Sequence, residues 1–169
     1  MDPHLASADL AVPRQDRRLE DYQRGAVYVY GPARVTEAEI VDFARAYDPQ
    51  SFHTDPVAAA TGPFGGLVAS GLHSLAIAGR LFVGTFLPGT GSLGSPGFDE
   101  VRFLRPVRPD DELRLRVTVL ESRRSRSKPD RGLVRTGWEL LNQDGDIVLT
   151  LTGLNIISVR NIEHHPSSS

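Results

Sequence analysis

The sequence predicts an α+β protein in which an antiparallel sheet wraps around one long central helix. Two observations carry that prediction. A run that begins at about Ser70 and ends at Phe86 or Leu87 holds Leu72, Leu75, Ile77, Leu81, Phe82, Val83 and Phe86 at helical spacing. They cover almost the whole circumference, and a helix apolar nearly all round has to be buried. From residue 100 onward the pattern changes to alternation with period two, as in half-buried antiparallel strands. One buried helix followed by about four strands implies a sheet curled around that helix.

The elements follow in chain order. With 169 residues the chain reads as one domain. Residues 1–18 mix Asp, Pro, His, Arg and Ala and read as a flexible tail; residues 19–160 form the domain and 161–169 a second tail. Ala-Val-Tyr-Val-Tyr at 26–30 is a short strand. Thr36-Glu37-Ala38-Glu39 is a capping box, in which the Thr hydroxyl accepts from a first-turn N–H and Glu39 reaches back. The helix that it opens runs to about Ala46, with Ile40, Phe43 and Ala44 on one face. Asp48-Pro49 ends it, because proline disfavours helical geometry in the residue before it. Asp55-Pro56 starts a further short helix, Asp as N-cap and Pro in the first helical position, which ends near Thr61-Gly62-Pro63. After the central helix, Val101 and Phe103 alternate with polar neighbours, as do Leu113 to Val119, Val134 to Leu140 and Ile147 to Leu151. Asn142-Gln143-Asp144-Gly145 is a hairpin turn with Gly supplying the positive φ.

Composition removes several function classes. A formal net charge of −2 gives no positive field for nucleic acid. The absence of Cys removes disulfides, thiolate metal sites and Cys nucleophiles. The N-terminus lacks the apolar core of a signal peptide, and the run 72–87 is too short and too polar to span a bilayer. A soluble cytoplasmic protein with no membrane partner is expected. Gly89-Thr90-Gly91-Ser92-Leu93-Gly94 fits the dinucleotide pattern but follows a helix instead of a strand, so it reads as a connecting loop. The run Arg123, Arg124, Arg126, Lys128 and Arg131 reads as a solvated hairpin tip, with contact to ligand phosphates as the sharper alternative. His164-His165 reads as solvated tail.

The chemistry-bearing segment is Asp48-Pro49-Gln50-Ser51-Phe52-His53-Thr54-Asp55, followed by Phe64-Gly65-Gly66-Leu67-Val68-Ala69-Ser70-Gly71-Leu72-His73. A carboxylate and an imidazole stand five residues apart in a Pro-bearing loop, ahead of a Gly-rich turn and a helix N-terminus. Such a pair suits proton transfer on a substrate that develops negative charge. Asp55 is more simply an N-cap than a catalytic group. His73, on the apolar helix, is more simply an imidazole bonded to a carbonyl than a catalyst. Reading Asp48, His53, Asp55 and His73 as a metal cluster is disfavoured because His-x-Asp in a capped loop already has a non-metal explanation.

These residues resemble the signature of the MaoC-like family of (R)-specific enoyl-CoA hydratases and dehydratases, which have the hotdog fold. That signature is roughly Asp-x-Asn-Pro-x-His-x-Asp, then Phe-Gly-x-x-[Ile/Val]-x-x-Gly. Asp48, His53, Asp55, Phe64, Gly65, Val68 and Gly71 match it without gaps, and the resemblance extends through residues 91–107 to cover about 20–160. Two positions depart: Gln50-Ser51 stands where the signature has Asn-Pro, and Gly79 where some hydratases carry Ser.

The resemblance implies catalytic roles for Asp48 and His53, which together hold and activate one water. It implies a backbone N–H of Gly71 at the developing enolate oxygen, and substrate contacts from Phe64, Gly65, Val68, Ser70 and His73. The implied reaction is reversible hydration of a trans-2-enoyl thioester, carried on coenzyme A or an acyl-carrier protein, with no cofactor and no metal. A hotdog thioesterase and a non-catalytic acyl-thioester-binding subunit are the competing readings; the paired Asp–His spacing favours the hydro-lyase. A homodimer or a dimer of dimers is expected, since the sheet leaves an open edge.

Overall fold

The computed structural model describes residues 9–161. The tail expectations for residues 1–8 and 162–169, His164-His165 included, lie outside the described residues. A 3₁₀ turn at Arg14–Asp16 and another at Leu19–Asp21 lead into strand β1, Val27–Arg34. Helices α1 (Glu37–Tyr47), α2 (Ser51–Thr54), α3 (Pro56–Ala60) and α4 (Gly71–Leu81) follow. Strands β2 (Gly97–Phe103), β3 (Glu112–Arg124), β4 (Arg131–Leu141) and β5 (Ile147–Ser158) complete the chain. The sheet order is β1-β3-β4-β5-β2, with every neighbouring pair antiparallel.

Local chemistry sets the elements as expected up to the site. Thr36 Oγ1 accepts from Glu39 N at 3.2 Å while Glu39 Oε2 accepts from Thr36 N at 2.9 Å, so the capping box forms. Ile40 and Ala44 are fully buried on the inner face of α1, and Asp48 is its C-cap. Asp55 Oδ1 accepts from Val57 N and Ala58 N, which makes it the N-cap of α3. Gly145 takes φ +82° in the β4–β5 turn, where Asn142 Oδ1 accepts from Asp144 N and Asp146 N. The core lies between the concave face of the sheet and α4. Leu113, Leu115 and Val117 of β3 and Trp138 and Leu140 of β4 are buried there with Ile77 and Ala78 of the helix.

The structure departs from the sequence reading in five respects. The loop expected around His53 contains the one-turn helix α2. The central helix is α-helical only to Leu81 and continues as a π turn over Phe82–Phe86. That turn carries Phe82 onto Trp138 (ring centroids 4.1 Å apart) and Phe86 onto Tyr22 (5.0 Å).

The same helix is not buried on all sides. Leu72 is 51 % exposed and Val83 54 %, because a single five-stranded sheet covers only the side of the helix turned toward it. For a related reason β2 is not half-buried. It is an edge strand that pairs with β5 alone, and all seven of its residues are exposed.

Residues 9–18 are also not a free tail. Arg17 is 2 % exposed. Its guanidinium donates to the carbonyls of Val12, Thr85 and Phe86 and to Asp9 Oδ1. The π turn leaves carbonyls without helical partners at its end, and this arginine answers them. Among the described residues no helix is long and apolar enough to cross a membrane.

Candidate active site

The site forms where the end of α1, helix α2 and the start of α4 meet. Asp48 leaves α1 as its C-cap. His53 sits on α2, buried, and its Nδ1 lies 2.7 Å from the carbonyl oxygen of Val68. A carbonyl only accepts, so Nδ1 carries a proton, and Nε2 is the nitrogen left to exchange one. That Nε2 faces Asp48 Oδ2 at 3.4 Å. The two catalytic residues expected from the sequence are therefore brought together.

Both oxygens of Asp48 are held. Ser70 Oγ donates to Oδ2 at 2.6 Å and Gln50 Nε2 donates to Oδ1 at 2.8 Å. The Ser70 hydroxyl first, then the Gln50 amide, keeps the Asp48 carboxyl below its usual range, against a smaller opposing effect of burial. Asp48 is thus a fixed anion beside an imidazole whose Nε2 points the same way.

These groups open on a cavity of about 440 Å³. Phe52, Phe64, Val68, Leu72, Phe103 and Leu104 give it apolar walls, and Asp48, His53 and Gly71 also line it. Gly71 is the first residue of α4, so its N–H has no acceptor within the helix and lies at the positive end of the helix dipole. A side chain there would strike the ring of Phe103: an added Cβ would lie 2.8 Å from its Cε2 and Cζ.

The remaining expectations divide. Phe64 and Val68 line the cavity; Gly65 neighbours it and takes φ +62°, which turns the chain toward Gly66. Ser70 lines the cavity but is fully buried, and its hydroxyl is committed to Asp48 and to Leu72 N, where it caps α4. It positions Asp48 instead of presenting a free hydroxyl to substrate.

His73 is not among the residues that line the cavity. Three residues past Ser70, it turns toward α1, where its ring stacks on Phe43 with centroids 4.6 Å apart. Its Nδ1, buried, has no hydrogen-bond partner among the described residues, so the expected bond from ring to carbonyl is not made there.

Sequence reasoning missed Gln50 as a ligand of Asp48, and it missed Leu72, Phe103 and Leu104 as walls. The segment from Phe98 to Val107 that carries the family resemblance was the available signal for the last two. The basic hairpin tip lies far from the cavity along the sheet. Phe103 pairs with Leu149 of β5 whereas Arg131 pairs with Ser158, nine residues or about 30 Å along that strand. Within one chain it does not reach the cavity.

The chain matches the family model described as MaoC like domain over residues 23–138. It is 32 % identical over 111 residues to the uncharacterized protein YdeM of Bacillus subtilis (strain 168), covering 66 % of this chain and 79 % of that one. Among solved structures it is similar to the MaoC-like dehydratase from Rhodospirillum rubrum, with 40 % identity, a TM-score of 0.79, and coverage of 86 % of this chain and 99 % of that one. It is also similar to the (R)-hydratase PhaJ1 from Pseudomonas aeruginosa, with 28 % identity, a TM-score of 0.68, and coverage of 90 % and 96 %. The antiparallel five-stranded sheet around a central helix is thus the hotdog fold.

Proposed function

The chain belongs to the MaoC-like dehydratase family, and we propose that it is a hydro-lyase that reversibly hydrates a trans-2-enoyl-CoA to an (R)-3-hydroxyacyl-CoA. The observation that supports this most is the approach of His53 Nε2 to Asp48 Oδ2, 3.4 Å apart at the wall of an apolar cavity. A water within about 2.8 Å of both atoms is polarised from two sides. His53 Nε2 takes one of its protons as the oxygen bonds to C3 of the enoyl thioester. The C2–C3 π pair moves toward the thioester carbonyl, whose oxygen gains negative charge and accepts from Gly71 N–H. The imidazolium, steadied by the Asp48 carboxylate, returns the proton to C2. The sum is H and OH added across the double bond, and the reverse path dehydrates the hydroxyacyl thioester. Either coenzyme A or an acyl-carrier protein satisfies this chemistry as the carrier.

The test uses crotonyl-CoA. Loss of the enoyl-thioester absorbance without thiol release is the expected result. Thiol release would instead indicate a thioesterase, and no change with any enoyl-CoA would indicate a binding subunit. Asp48→Asn and His53→Ala should each lower the rate by on the order of 10²–10⁴ in protein that stays folded. Undiminished hydration in both variants refutes the roles assigned.

We further propose that the working form is at least a homodimer. The outer edge of β2 is unpaired by any described strand, and Phe98 and Val101 on it are exposed. Leu72 and Val83 are exposed on α4. An uncovered edge and apolar helix face of this kind are what a second copy would cover. Light scattering that returns a monomer mass at working concentration contradicts this.

A further inference from the structure

We propose that Phe103 is a specificity-determining residue: its ring walls the thioester end of the cavity and excludes enoyl thioesters branched at C2. The inference rests on the hydro-lyase reading above and names the substrate class of that site. Phe103 and Gly71 both line the cavity. A Cβ built on Gly71 would lie 2.8 Å from Cε2 and Cζ of Phe103 and 3.0 Å from Cδ2. The edge of the ring therefore fills the space beside the Gly71 Cα that a side chain would take.

A thioester oxygen that accepts from Gly71 N–H stands about 2.9 Å from that nitrogen. The carbonyl carbon is about 1.2 Å beyond the oxygen, and C2 is one bond further. Any substituent on C2 must find room within a few ångströms of Gly71. On one side stand Asp48 and His53 with the attacking water; on another stands the Phe103 ring.

The wall is anchored at its backbone. Phe103 pairs with Leu149 across β2 and β5, and the next residue, Leu104, donates its N–H to Val148 O at 2.9 Å. Phe103 itself, in contrast, is 52 % exposed in the single chain. Its truncation opens the cavity without emptying a packed core, so the variant is expected to fold.

A methyl group placed against a protein wall discriminates by about 10–200-fold. The experiment compares kcat/KM for crotonyl-CoA and for its 2-methyl homologue in wild type, Phe103→Leu and Phe103→Ala. The wild type should favour the unbranched substrate, and Phe103→Ala should raise the branched-to-unbranched ratio about tenfold or more, with Phe103→Leu between. An unchanged ratio in variants that still hydrate crotonyl-CoA overturns the inference.

Calorimetric binding of butyryl-CoA and 2-methylbutyryl-CoA reads the same wall without turnover. If the wild type hydrates neither enoyl-CoA, the hydro-lyase reading fails, and the binding ratio still decides on Phe103. A rise in that ratio in Phe103→Ala supports the wall, and no rise overturns it.

Discussion

The hydroxyl of Ser70 reaches the carboxylate of Asp48 across 22 residues of chain, at 2.6 Å. The same hydroxyl oxygen accepts from Leu72 N at 3.2 Å. One side chain thus caps the central helix and fixes the anion of the proposed acid/base pair, so that Asp48 and the Gly71 amide are held in one frame. Ser70→Ala should release both. Loss of the cap lowers stability by about 1 kcal/mol. Loss of the donor lets the Asp48 carboxyl titrate higher, toward its ordinary 3.8. A carbon-13 titration of the Asp48 carboxyl in wild type and variant measures the shift; an unmoved titration would show that Ser70 does not hold the anion.

The sign for stability follows from the same pair. Asp48 is depressed in the folded state, so its contribution is fully present above the unfolded carboxylate value. It is lost as pH falls through the lower folded value. Ser70→Ala should narrow that acid window.

His73 acts in the same sense through a different cause. Burial holds its imidazole below the ordinary 6.5; Glu39 opposes this and Arg80 adds to it. His73 is 8 % exposed, its ring stacked on Phe43 and its Nδ1 without a partner among the described residues. Between 6.5 and the lower folded value the unfolded chain binds the proton and the folded chain does not. Stability therefore falls with acidification, by up to about 1.4 kcal/mol per pH unit. Urea unfolding of wild type and His73→Leu at about pH 8 and about pH 5.5 tests it. The variant should show the shallower loss, and equal loss in both would exclude His73 as the source.

Arg17 secures the N-terminal segment to the end of the π turn. Arg17→Met keeps much of the volume but removes the guanidinium donor from the carbonyls of Val12, Thr85 and Phe86, of which Phe86 O keeps the Tyr22 hydroxyl. The expected cost is about 3 kcal/mol, read from urea midpoints. A change below about 0.5 kcal/mol would mean that water replaces the guanidinium freely.

Gly132 marks a close approach in β4. An added Cβ would meet a methyl carbon of Leu19 and lie 2.5 Å from the carbonyl oxygen of Arg123. The leucine can turn aside; the β3 backbone cannot without breaking its ladder. Gly132→Ala should cost about 1–3 kcal/mol by overpacking, again by urea unfolding. Full stability in the variant would show that the strands separate at no penalty there.

What the sequence by itself determined is local. The capping box at Thr36, the N-cap at Asp55, the alternation of β3 to β5 and the Gly145 turn depend on neighbours a few residues away, and each forms as the residues dictate. The Asp48 and His53 pairing was legible because both lie in one short segment that matches a family signature. Tertiary structure decided the rest. Apolar periodicity says that a face wants cover but not whether this chain supplies it, so Leu72, Val83 and all of β2 are open. Arg17 looks like tail until the π turn gives it carbonyls to bond. Ser70, Gln50 and Phe103 acquire their places only when elements remote in sequence meet around Asp48 and Gly71, because a hydrogen bond or a ring contact is fixed by distance in space and not by spacing along the chain.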